Sequence, residues 1–330
     1  MSSRKFELKA AVQSWPLDNL FRIARGVRTE AQVIVVTIND GAHTGHAEAV
    51  PCRRYGETIA STLAQLEGIS SKNESIHRQQ LQKLLPAGAG RNALDCALWD
   101  LEAKASGKRA WEIANLQVVP ALETSFTISL DTPEKMGATA RANAGASLLK
   151  LKLGGDNLDL PRVEAVRQAA PTVRLLIDAN ESWSPSHYRE TASALGRLGV
   201  ELIEQPFPAK EDAVLETLDH PIPVCADESC HTTADLPRLV NRYEAINVKL
   251  DKTGGLTEAL LLTERARQSG FKLMFGCMVC TSLGIAPARI LASATDYVDL
   301  DGPLLLAGDR HHPLPYLNRR VGLPPRELWG

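Results

Sequence analysis

From about residue 124 to residue 300 the chain alternates short apolar runs with longer amphipathic stretches. The runs fall at residues 126–128, 149–153, 175–177, 202–203, 222–225, 246–248, 273–275 and 297–298, roughly 20 to 28 residues apart. Short Leu-rich or β-branched segments at this spacing predict strands, each followed by a helix. Strand–helix units build a parallel sheet, and eight of them suffice to close a (β/α)8-type barrel.

The pattern before residue 118 is different. Residues 6–14 and 32–38 alternate in the manner of strands, and Asn39-Asp40-Gly41 signals a turn. Helices are expected near 57–68, 74–85 and 91–105. In the third, Leu94, Ala97, Leu98, Leu101 and Ala105 share one face, and Gly107 suits its C-terminal cap. The fold class expected is α/β: an N-terminal α+β domain over 1–117, a barrel over 118–302, and a Pro- and Gly-rich segment, 303–330, returning to the first domain.

Composition narrows the functions. Hydrophobic residues make up 44% and charged residues 23%, the usage of a globular chain. With 37 basic against 39 acidic residues the net charge is −2, so no global field favours nucleic acid. No apolar stretch reaches the ~20 residues of a membrane helix, and the N-terminus lacks the apolar core of a signal peptide. Six cysteines over this length fit a reducing compartment, so a cytoplasmic location is expected.

Charges mark the ends of the middle runs. Lys150 and Lys152, Asp178, Glu204, Asp227 and Lys249 each close one of them, and from Lys152 onward they recur every 22–26 residues. Strands buried on both faces tolerate such groups only when paired or metal-bound. Equal spacing places them on successive strands at one depth, the C-terminal rim where barrels carry their chemistry. A single acid after a strand is ordinarily a helix cap or a solvated charge. Three in register form an all-oxygen set suited to Mg²⁺, and the absence of His or Cys among them argues against zinc. Lysines on the flanking strands would approach that ion from opposite sides. At the eighth strand Asp299 and Asp301 project to one side and attract a cation.

Taken together the motifs resemble the enolase superfamily, in its muconate-lactonising subgroup, and most closely the L-Ala-D/L-Glu (dipeptide) epimerases. They are Lys150-Leu151-Lys152, Asp178-Ala179-Asn180, Glu204-Gln205-Pro206, Ala226-Asp227-Glu228-Ser229, the run from Asn247 to Gly255, and Asp299-Leu300-Asp301-Gly302. The resemblance implies a capping domain that governs specificity and one Mg²⁺ per subunit on Asp178, Glu204 and Asp227. It also implies two-base epimerisation by Lys152 and Lys249 through an enediolate; enolase-superfamily sites are the established example of a lysine base working beside Mg²⁺. Lys150 would donate to the substrate carboxylate, and Asp299 and Asp301 would clamp the free ammonium. Thr127 and Cys277 would line the pocket. A side-chain carboxylate needs a cation, and among Arg22, Arg25 and Arg28 the resemblance puts Arg25 first and Arg28 second. The substrate implied is a dipeptide, L-Ala-D-Glu or L-Ala-L-Glu, from murein peptide recycling. Self-association into a homo-oligomer is compatible with the sequence.

Other signals carry less. Gly88-Ala89-Gly90-Arg91-Asn92-Ala93 fits G-x-G-x-x-A but follows a helical stretch, so the strand that a nucleotide turn requires is missing. Cys277-Met278-Val279-Cys280 lacks the partner spacing of a zinc ribbon, and Cys280 departs from many relatives. His231, His311 and His312 read as loop residues. The rivals are a dipeptide epimerase of other specificity, a succinylbenzoate-synthase-like enzyme, and a catalytically silent barrel. Retention of three acids and both lysines argues against the last.

Overall fold

Strand alternation builds the N-terminal unit in the computed structural model, which describes residues 6–70 and 76–330. Strands β1 (Glu7–Ile23), β2 (Gly26–Asn39) and β3 (Thr44–Ala49) form an antiparallel sheet in that order. Ile34, Val36 and Ile38 of β2 are fully buried. Helices α1 (Ile59–Ser70), α2 (Arg78–Leu84) and α3 (Ala89–Ser106) follow. Residues 74 and 75 of the expected second helix lie outside the described residues. Helix α3 packs across β2 and β3, so closely that a Cβ at Gly45 would collide with Ala97 O. It ends at Gly107, left-handed at φ +70°, as its sequence predicts.

The first hairpin runs further than expected. Beyond residue 14, β1 crosses a register shift between Pro16 and Phe21 and turns at Ala24 and Arg25 into β2. Polar and charged residues there hide the alternation. Pro16, without an N–H, is tolerated because β1 is an edge strand.

After β4 (Ala121–Glu123) come eight parallel strands paired in sequence order: β5 (Phe126–Ile128), β6 (Leu148–Lys152), β7 (Arg174–Asp178), β8 (Val200–Glu204), β9 (Val224–Ala226), β10 (Ala245–Val248), β11 (Lys272–Gly276) and β12 (Tyr297–Asp299). All eight expected runs are strands. Ser125 N donates to Val298 O at 2.8 Å and links the first edge to the eighth. The crossovers are less regular than predicted. A 3-10 turn, Asp212–Thr217, stands between β8 and β9, and a four-residue helix, Leu236–Leu239, between β9 and β10. Pro206, Pro208, Pro221 and Pro223 flank the first and Pro237 lies in the second, and proline disrupts longer helices.

The C-terminal segment returns to the start. Strands β13 (Tyr316–Leu317) and β14 (Arg320–Gly322) pair with β4. Trp329 is wholly buried, and its Nε1–H donates to Cys96 O of α3 at 3.1 Å. Among the described residues no helix is long and apolar enough to cross a membrane.

Candidate active site

Strand alternation sorts the barrel side chains into two sets. Leu149, Leu151, Ile177, Ile203, Val224, Ile246 and Phe275 belong to the main apolar core. The opposite parity points inward, where Leu148, Leu176, Leu202, Cys225, Ala245, Met274 and Tyr297 form a closed apolar floor. Two residues further along the same strands stand Lys150, Asp178, Glu204, Asp227, Asn247 and Asp299, a polar layer directly above. Both layers come from one period-two pattern.

The structure brings the predicted groups together. Lys150 Nζ lies 2.6 Å from Glu204 Oε2, 2.6 Å from Asp299 Oδ2 and 3.4 Å from Asp178 Oδ2. Lys152 Nζ pairs with Asp178 Oδ2 at 2.5 Å, and Lys249 Nζ with Asp227 Oδ2 at 2.7 Å. Asp178, Glu204 and Asp227 thus form a row across three neighbouring strands, with one lysine at each end. Among the described residues no three His, Cys, Asp or Glu side chains converge into a ready-made metal cage. The carboxylates turn toward ammonium groups instead. The donor set nevertheless fits a hard cation: it is all oxygen, Asn180 Oδ1 and Asn247 Oδ1 are buried without a hydrogen bond, and Glu204 Oε2 meets only the Lys150 ammonium.

Charge pairing outweighs burial for several of these groups. Burial disfavours ionisation of Asp178, but Lys152 and Lys150 hold its carboxyl at about 2. Burial and the neighbouring Asp178 push Glu204 up to about 7. Burial works against a charge on Lys150, yet Asp299, Glu204 and Asp178 hold its pKa above the ordinary value. Lys249 is also raised, by Asp227 and Glu204 against burial, whereas a lysine base needs a lowered value. A dication on the same carboxylates would oppose that field.

The remaining expected residues divide. Asp299 also accepts from Ser125 Oγ at 2.5 Å, and Asp301 from Thr127 N at 2.6 Å. Burial and Asp299 raise the Asp301 carboxyl to about 6. Thr127 is in register with Lys150. Cys277 stands beside Gly302, the residue after Asp301, since a Cβ there would lie 3.3 Å from its sulfur. Arg25 reaches across from the hairpin turn, and its guanidinium donates to Asn180 O and Glu228 at 2.6 Å each. Arg28 is exposed. The G-x-G-x-x-A segment follows α2, not a strand, and Ala89 N is already taken by Glu57 Oε1 at 2.8 Å. All six cysteines are free.

Residues 5–113 match the mandelate racemase/muconate lactonizing enzyme N-terminal domain, and residues 135–320 match the enolase C-terminal domain-like family. The chain belongs to this enolase-related family. Among curated members it is 46% identical to the L-Ala-D/L-Glu epimerase of Escherichia coli K12, covering 92% of this chain and 95% of that one. It is 44% identical to an N-acetyl-D-glutamate racemase of Pseudoalteromonas, covering 90% and 95%. A solved enolase family member from Agrobacterium tumefaciens, described as homologous to dipeptide epimerases and holding sodium and L-Ala-L-Glu, superposes with a TM-score of 0.96. It is 48% identical and covers 98% of this chain and 100% of that one. A Methylococcus capsulatus dipeptide epimerase, solved with Mg and L-Arg-D-Lys, is 31% identical with a TM-score of 0.90, covering 97% of each chain.

Within this family member, several site residues escape strand-end reasoning. Asn247 donates to Glu204 Oε1 at 2.7 Å. Lys252, wholly buried, donates to Asp227 Oδ1 at 2.6 Å and to Asn247 O at 2.8 Å. Gln205 Oε1 accepts from Asp227 N at 2.9 Å and Ser229 N at 3.1 Å, which fixes the turn after β9. Their signal was available: each lies inside a motif that also carries an assigned residue, Glu204 for Gln205 and Lys249 for Asn247 and Lys252.

Proposed function

We propose that the chain is a Mg²⁺-dependent dipeptide epimerase that interconverts L-Ala-D-Glu and L-Ala-L-Glu, dipeptides of murein breakdown. The observation that carries this reading is the row of three buried carboxylates with Lys152 at one end and Lys249 at the other. Asp178, Glu204 and Asp227 would hold one Mg²⁺. When bound, the cation stabilises the negative charge that builds on the substrate's carboxylate oxygens.

The chain's own residues do the rest. One lysine removes the α-proton from one face of the carbon, and the opposite ammonium returns a proton to the other face. Lys152 is assigned to the D-Glu epimer and Lys249 to the L-Glu epimer. Lys150, held cationic by its carboxylate neighbours, donates to the substrate carboxylate. Asp299 and Asp301 clamp the free ammonium, Thr127 and Cys277 line the pocket, and Arg25 holds the side-chain carboxylate.

The test is α-proton exchange in D2O with L-Ala-L-Glu and N-acetyl-L-glutamate side by side. Exchange and epimerisation of the dipeptide should vanish with EDTA and return with Mg²⁺. Full activity after verified metal removal would refute the metal assignment. Preference for N-acetyl-glutamate, which has no free ammonium, would remove the Asp299/Asp301 clamp and favour a racemase.

A further inference from the structure

Arg25 does not stand alone at the hairpin turn. Its Nη1 donates to Asn180 O at 2.6 Å and to Glu181 Oε2 at 3.1 Å, and its Nη2 donates to Glu228 Oε1 at 2.6 Å. That leaves Nε–H and one Nη2–H without a protein partner among the described residues. Glu181 is shared. Arg54, from a different segment of the N-terminal unit (Arg53–Tyr55), grips it as a fork, with Nε to Oε2 and Nη2 to Oε1 both at 2.6 Å. Ala209 N adds a fourth bond at 2.9 Å.

The backbone beneath is under strain. Asn180 and Glu181 are consecutive non-glycine residues in the left-handed region, at φ +46° and +66°. This turn, directly after Asp178, presents a carbonyl and a carboxylate to the same guanidinium. The cluster holds two arginines and two carboxyl groups, and burial and Asp227 push that of Glu228 up to about 7.

We propose that Arg54 is a positioning residue for substrate specificity: by neutralising and orienting Glu181, it keeps Arg25 available to an anionic second side chain of the dipeptide. This rests on the assignment of Arg25 made above. Without Arg54, Glu181 loses its bidentate partner, and its unneutralised charge beside Arg25 opposes an anionic substrate far more than a neutral one. Both arginine side chains are 35% exposed, so the effect shrinks with added salt.

The experiment compares kcat/KM for L-Ala-L-Glu and L-Ala-L-Leu in Arg54→Met, Arg54→Lys, Arg25→Met and the double variant Arg54→Met/Glu181→Gln. In Arg54→Met the Glu-over-Leu ratio should fall about tenfold, mainly through KM. Arg54→Lys, which keeps the charge, and the double variant, which restores the balance, should recover most of it. A merely structural role would weaken both dipeptides equally, and the double variant would not recover. A ratio in Arg54→Met equal to wild type, with the ratio collapsed in Arg25→Met, would overturn the role of Arg54 alone. An unchanged ratio in Arg25→Met would overturn the assignment of Arg25, and the role of Arg54 with it.

Discussion

Asp251 ties the barrel to the N-terminal unit, and its protonation should be measurable in the stability of the protein. Its Oδ1 accepts from Val50 N at 2.9 Å and from Asn92 Nδ2 at 2.8 Å, both in the N-terminal unit. Burial, aided by Glu57 and Glu48, overrides those bonds and raises the carboxyl from 3.8 to about 7. With the folded pKa above the unfolded one, the folded state keeps the proton to higher pH. The resulting stability is fully present below about 3.8 and is lost as pH rises through about 7. Each pH unit well inside that window costs about 1.4 kcal/mol, so about 2–3 kcal/mol disappears between pH 5 and pH 8. Asp251→Asn keeps an acceptor oxygen and stays neutral throughout. Urea unfolding of both proteins at pH 5, 6, 7 and 8 should show the variant gaining on the wild type by about 2–3 kcal/mol across the series. Asp95, also buried and raised to about 6, is present in both proteins and cancels in the difference. A gap between variant and wild type that stays constant from pH 5 to pH 8 would refute the reasoning.

Lys152→Ala and Lys249→Ala should each lose about 10²–10⁴-fold in epimerisation, because each removes one of two opposed proton-transfer groups. Monitored by NMR in D2O, Lys152→Ala should still exchange the α-proton of the L-Glu dipeptide, and Lys249→Ala that of the D-Glu dipeptide. Exchange of the same epimer by both variants would end the two-base assignment. Trp329→Ala empties a wholly buried site and removes the indole donor from Cys96 O, so chemical denaturation should register a loss of about 3–5 kcal/mol. A loss within experimental scatter would mean that the C-terminal return adds nothing to the fold.

The barrel and its chemical row were legible because they rest on local periodicities. A period of two within each strand sends Lys150, Asp178, Glu204 and Asp227 inward above an apolar floor. A strand-to-strand spacing of 23–28 residues sets them at one depth. Lys249 stands just past β10 at the same rim, and its pairing with Asp227 follows from the same two rhythms.

What the tertiary structure decided is how charges share partners across long loops. Arg25 and Glu228 lie 203 positions apart, and Arg54 and Glu181 lie 127 apart. No periodicity links them, because the hairpin turn, the Arg53–Tyr55 turn and the loops after β7 and β9 meet only when the N-terminal unit sits over the barrel mouth. The buried position of Lys252, the upward shift of Lys249 and the neutral tendency of Asp251 depend in the same way on distance and exclusion of water. Local order carries the residue types and their rhythm along the chain. The electrostatic state of each group depends on which other groups folding brings within a few ångströms, and only the folded chain specifies that.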